Sequence, residues 1–166
     1  MQTLNKGDSA KAKHKDLEHR VNYILDEARM VLPGIQALLG FQLIAVFNRA
    51  FSENLSTNEQ HVHLLAIFSS LCAIALLLTP AAIHRQSEPD GISKEFAGIA
   101  GRLVAAGLIP LMLSVTLDWY VVSKLIMHDS LFPLISTVVV FSGLLTLWVI
   151  WPQVRKRRNR VNVDYA

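Results

Sequence analysis

The chain has 166 residues, 52% of them hydrophobic, and a mean hydropathy of +0.36, which excludes an ordinary soluble domain and leaves room for one small bundle. Its net charge of +3 includes the cluster Arg155-Lys156-Arg157-Arg158-Asn159-Arg160, which has no interleaved aromatic residues and reads as a topology and lipid-contact signal rather than a nucleic-acid surface. The single cysteine, Cys72, excludes an internal disulfide and reads as a small apolar filler.

Residues 1–14 are polar and read as a disordered tail without the apolar stretch of a cleavable signal. Over residues 15–29, Leu17, Val21, Ile24, Leu25 and Ala28 recur at helical spacing among charged residues. That pattern predicts an amphipathic juxtamembrane helix on the cytoplasmic side. The first apolar run, about 30–47, follows directly, and Pro33-Gly34 predicts a kink or break at its start. Arg29, Pro33, Gln36, Gly40 and Leu43 share one narrow helix face that is small or polar, so it should point into a bundle. Gln42 lies about 120° from Gln36 around the helix and needs a second partner, such as another subunit.

Asn48–His63 reads as a polar outer loop, in which His61 and His63 are solvated histidines or the incomplete beginning of a metal site. The second run, 64–83, carries a weak stripe of Ser69, Cys72 and Thr79 that reads as packing. Ser87-Glu88-Pro89-Asp90-Gly91 then signals a turn. In the third run, about 99–121, Gly98, Gly101 and Ala105 make a small-residue edge, and Gly107, Pro110, Ser114 and Asp118 make a second line. Asp118 lies roughly 24 Å along the helix from Arg102, near the outer edge of the hydrocarbon. It reads either as a proton- or cation-binding carboxylate or as an interfacial acid beside Trp119 and Tyr120. A very short outer loop around His128-Asp129-Ser130 leads to the fourth run, 131–151, whose Ser136, Gly143 and Thr146 also read as packing. Residues 152–166 form a basic tail suited to anionic lipid headgroups.

A hydrocarbon core of roughly 30 Å needs ~20 mostly apolar helical residues, and the four runs meet that test. The fold class is therefore all-α: an integral membrane four-helix bundle, residues 30–151, preceded by the amphipathic helix. Of the 16 Lys and Arg residues, all but Arg49 and Lys124 fall in the two tails and the middle loop. The positive-inside rule then places both termini and the middle loop in the cytoplasm. At the inner mouth Glu27, Arg29, Arg85 and Arg102 could form an ion-pair network between helices. No hydrolase, metalloprotease, P-loop or dinucleotide fingerprint occurs, so an enzyme is not expected, nor a cofactor or bound metal.

Asp26-Glu27-Ala28-Arg29 and Pro33-Gly34-Ile35-Gln36 resemble the opening of an uncharacterised family of small four-helix bacterial membrane proteins. Thr79–Arg85 and Arg102–Leu108 resemble its later blocks, so the likeness covers roughly residues 17–127. The resemblance implies the four-pass fold but no established chemistry. Some relatives bear an automatic sodium:proton antiporter label; here no acidic residue falls clearly at the midplane of a run. The leading expectation is ion permeation or proton-coupled transport by a homo-oligomer, for protons or monovalent ions. Gln36 and Gly40 of the first run, or the Ser114 and Asp118 line of the third, would face its path, with Gln42 a further candidate in the first run. The alternative is a non-transporting accessory membrane protein acting through helix packing and lipid or partner binding.

Overall fold

The computed structural model describes residues 3–87, 93–127 and 131–163. Glu88–Gly91 of the turn motif and His128-Asp129-Ser130 lie outside them. The described chain is helical: α1 (Thr3–Val46), α2 (Arg49–Asn54), α3 (Thr57–Ser87), α4 (Lys94–Met127), α5 (Phe132–Leu145), a wide π-type turn (Thr146–Ile150) and α6 (Trp151–Val163). Four helical stretches are long and apolar enough to cross a membrane: His14–Val46, Thr57–Gln86, Lys94–Met127 and Phe132–Lys156. This fits a multi-pass membrane protein.

Three helices make the core, and each presents one seam with steps of three and four residues. On α1 the seam is Leu17, Val21, Ile24, Ala28, Val31, Ile35, Leu38 and Gln42, all buried or half-buried. On α3 it is His63, Ala66, Ser70, Ala73, Leu77, Pro80 and His84. On α4 it is Ala97, Ala100, Val104, Gly107, Leu111, Ser114, Asp118 and Val121. A 3–4 alternation keeps the same stripe against its neighbour along the whole helix, the geometry of left-handed bundles. Ala28, Ile35, Ala73, Leu77, Val104 and Leu111 form the central cluster. Val21, Phe96, Ala97 and Ala100 form a second cluster where α4 begins.

The seam removes the boundary expected at Pro33. Ala28 and Val31 before it, and Ile35 and Leu38 after it, pack into the same cluster, so α1 runs through a proline that sits on its exposed side. The juxtamembrane helix and the first membrane helix are thus one element. Helix also replaces disorder from Thr3 onward, where Ala10 to Lys15 are good helix formers. The outer loop is shorter than expected. Asn48 caps α2, its Oδ1 accepting from the Ala50 N–H at 3.0 Å. Ser56 and Glu59 then build a capping box, with Glu59 Oε2 accepting from the Ser56 N–H at 2.7 Å, so α3 starts at Thr57.

α5 lies against α4, with Trp119 Nε1 donating to Ser136 Oγ at 3.1 Å, and is otherwise mostly exposed. The π-type turn ends where the Trp151 N–H bonds the Thr146 carbonyl, five residues back. Pro152 follows at once, and the widened turn relieves the clash of its ring with the preceding carbonyl.

α3 packs tightly on α4 at Gly107, where an added Cβ would lie 3.1 Å from Leu77 Cγ. Gly107→Leu should therefore destabilise the folded chain by about 1–3 kcal/mol. Gly143→Leu, where a Cβ meets nothing within 4 Å, should not. Thermal unfolding in detergent measures both.

Candidate functional site

The polar members of the three seams meet at one end of the bundle, where α1 finishes and α3 begins. Gln42 is one turn from the end of α1, His63 lies in the second turn of α3, and Ser114 and Asp118 are one turn apart on α4. Gln42 is 3% exposed, His63 5%, and Ser70 and Ser114 are fully buried. Gln42 Nε2 donates to Ser114 Oγ at 2.8 Å and to Asp118 Oδ2 at 2.5 Å. Ser114 Oγ is in turn 2.7 Å from Ser70 Oγ. Both hydrogens of the Gln42 amide are thereby used, and α1 is tied to α4 and through it to α3.

His63 completes the site. Its Nε2 lies 2.9 Å from the main-chain carbonyl of Gln42, an acceptor, so Nε2 carries the hydrogen. In a neutral ring Nδ1 is then a bare acceptor, and it lies 3.3 Å from Asp118 Oδ1, which is also an acceptor when ionised. Two acceptors repel at that spacing. One proton added to either group turns the contact into attraction. The pair is off line for a directed hydrogen bond, and Gln42 Oε1 also lacks a bonding partner among the described residues. Three acceptor atoms therefore stand incompletely satisfied in one buried pocket.

An apolar cap closes this end. The Phe51 ring of α2 meets the His63 ring edge-on, with centroids 5.0 Å apart at 61°. Phe51, Leu55 and Val121 are all buried, with Val62, Tyr120 and Leu125 packed around them. The short helix α2 thus acts as a hydrophobic plug over polar groups.

Sequence reasoning named Gln42, Ser114 and Asp118, and the structure brings them together. It named His63 only as a solvated loop residue or the start of a metal site, whereas His63 is helical and buried, and it did not name Ser70. His61 is exposed, because residues two apart point away from each other on a helix, so His61 and His63 do not converge on a metal. Among the described residues no group of three or more His, Cys, Asp or Glu side chains could hold a metal ion. Asp118 is not a solvated interfacial acid either; its side chain is only 15% exposed. Gln42 finds its partners within the chain and needs no second subunit.

The face expected to point inward points outward. Arg29, Pro33, Gln36 and Leu43 are exposed, and Gly40 is half-buried with open space around its Cβ position. The inter-helix ion-pair network is likewise absent among the described residues. Arg29 pairs with Asp26 on its own helix at 3.1 Å, and Arg102 Nε donates to the Gly98 carbonyl at 3.3 Å. Glu27 and Arg85 are exposed and off the seams. At the far end of the α3 seam, the His84 ring stacks on Phe96, with centroids 5.6 Å apart and planes 24° apart.

The chain belongs to a family of unknown function, DUF6328, whose profile matches residues 10–152. No curated protein and no solved structure matches it.

If the amide of Gln42 joins the helices, a double-mutant cycle of Gln42→Leu and Ser114→Ala should show a coupling of about 0.6–1.7 kcal/mol. Gln42→Leu alone should cost about 1–3 kcal/mol, because it leaves Asp118 Oδ2 without the amide donor that reaches it. Additive effects in unfolding measurements would contradict the contact.

Proposed function

Starting from a family of unknown function, we propose that the chain is a proton-coupled ion transporter of the bacterial inner membrane, with both termini in the cytoplasm. The carrying observation is the face-to-face arrangement of His63 Nδ1 and Asp118 Oδ1, 3.3 Å apart and buried among membrane-spanning helices. Ionisable groups are rare in such segments and concentrate where protons or ions are handled. Here the donor and acceptor count calls for one exchangeable proton. His63 and Asp118 bind it, and Gln42 holds the Asp118 carboxylate in place. The α2 plug governs access from the near end, and the hydroxyls of Ser70 and Ser114 continue the polar line inward. No catalytic chemistry is proposed for these groups.

Gln36 supports a homo-oligomer. It is exposed on the outward side of α1 and makes no hydrogen bond among the described residues. An amide turned toward hydrocarbon gains by meeting its counterpart on another copy. The axis would then run along the Gln36 face, with each proton site inside its own protomer.

The second reading is an accessory membrane protein. It is favoured by the Gln42–Ser114–Ser70 chain, whose hydrogen bonds also serve to lock helices together.

Proteoliposomes under separate H⁺, Na⁺, K⁺ and Cl⁻ gradients distinguish the two. Proton flux with the wild type, reduced to the level of empty vesicles by Asp118→Asn and by His63→Gln, is the expected result. Flux unchanged in both variants would remove the site from the path. No flux from folded, inserted protein would leave the accessory reading. Gln36→Leu should shift the chain toward monomer in cross-linking or mass measurements while leaving its helix content intact.

A further inference from the structure

At the end of the bundle opposite the polar centre, a furrow runs between α1 and α4. One cavity, of about 440 Å³, is lined by Asp16, Leu17, Arg20, Lys94, Ala97 and Gly98. A second, of about 510 Å³, shares Asp16 and Arg20 and continues past Tyr23 and Gly101 to Glu27. Both fall in the size range of small-ligand sites. The furrow exists because Gly98 and Gly101 carry no side chains: a Cβ on Gly98 would meet nothing within 4 Å.

Its level is fixed by its floor. Val21 packs with Phe96 and Ala97, and with Ile83 at the end of the apolar run of α3. Arg20 and Lys94 therefore stand where the apolar runs of α3 and α4 end, the height of lipid headgroups in a membrane-spanning protein. The lining charges are unusual in one respect. Asp16, Arg20, Lys94 and Glu27 make no ion pair with one another, although Asp16 and Arg20 are spaced i,i+4 on one helix. Asp16 and Arg20 thus face both cavities unpaired with each other, with Lys94 on the first and His19 and Glu27 on the second.

We propose that this furrow binds the headgroup of a zwitterionic aminophospholipid, of the phosphoethanolamine type. This rests on the membrane-spanning part of the functional reading and not on proton transport. The order of charges carries the assignment. Asp16 is outermost, Arg20 lies about 6 Å further toward the membrane along the helix, and Lys94 faces it from α4. An ammonium outside and a phosphate inside match that order, at the length scale of a phosphoethanolamine unit. The glycerol and first acyl carbons continue along Tyr23 and Ile24. A purely anionic headgroup would gain Arg20 and Lys94 but leave Asp16 facing an anion or a hydroxyl, while Glu27 lies deeper and does not distinguish the headgroups. A choline headgroup offers Asp16 no N–H donor. A primary amine satisfies both ends.

The test uses the full chain purified in detergent and titrated with phosphatidylethanolamine, phosphatidylglycerol or phosphatidylcholine, read by native mass spectrometry. One phosphatidylethanolamine per chain, preferred about tenfold over the others, is expected from one charge-assisted hydrogen bond. Gly98→Leu puts a side chain into the furrow, starting from a Cβ that meets nothing within 4 Å, and should weaken that binding about tenfold with helix content unchanged. Lys94→Ala should weaken all three lipids, whereas Asp16→Asn should remove the preference for the amine. Equal retention of the three lipids overturns the proposal. So does binding insensitive to Gly98→Leu, or displacement by soluble phosphoethanolamine or inorganic phosphate at concentrations equal to the lipid's. Loss of proton flux with lipid selectivity intact would fault the transport reading alone.

Discussion

Hydrogen bonding at Gln42 sets the terms for the bundle. In hydrocarbon a polar group has no water to fall back on, so its partners must come from neighbouring helices. The two hydrogens of one amide reach Ser114 and Asp118, while the carbonyl of the same residue receives His63. Sliding α1 by one residue would turn the amide by about 100° and leave Ser114 and Asp118 without its two hydrogens. Apolar seams tolerate small slips; this arrangement does not. The remainder of the α1 seam, down to Val21 against Phe96, follows in register from that end.

Four long apolar helices were legible because apolar length is a strong signal that needs no tertiary information, although every helix runs past its apolar run at one end or both. The site was half legible. Gln42, Ser114 and Asp118 stood out as polar residues in apolar runs, and the 120° between Gln36 and Gln42 correctly placed them on different faces. Which face was inside was misread because a small-residue line on α1 was weighed as an interface. The better signal was the period of Leu17, Val21, Ile24 and Ala28. Carried past Pro33, it arrives at Gln42. His63 was hidden by a polar neighbourhood, Asn58 to His61, that resembles loop. The Ser56–Glu59 capping box marks where helix resumes and would have moved it onto α3. The Nε2 contact to a main-chain carbonyl had no sequence signature at all.

The two ends of the three-helix core are built on opposite principles. One is closed: polar side chains lie under Phe51, Leu55 and Val121, and their mutual geometry is tight. The other is open: glycines thin α4 where α1 crosses it, and charges line the gap without joining. Buried side chains that hold one another are suited to discriminate a proton. Exposed, unpaired charges are suited to something larger that arrives from outside the chain.

The wide turn before Pro152 has a consequence for the tail beyond it. A π-type turn accommodates one residue more than an α-turn over the same rise, so everything after Ile150 is swung by roughly 100° about the helix axis. The azimuth of Arg155, Lys156 and Arg158 is therefore decided by a backbone detail within the apolar span, not by the cations themselves. Removing a single residue between Thr146 and Ile150 would restore ordinary winding and aim the same positive charge at a different neighbour.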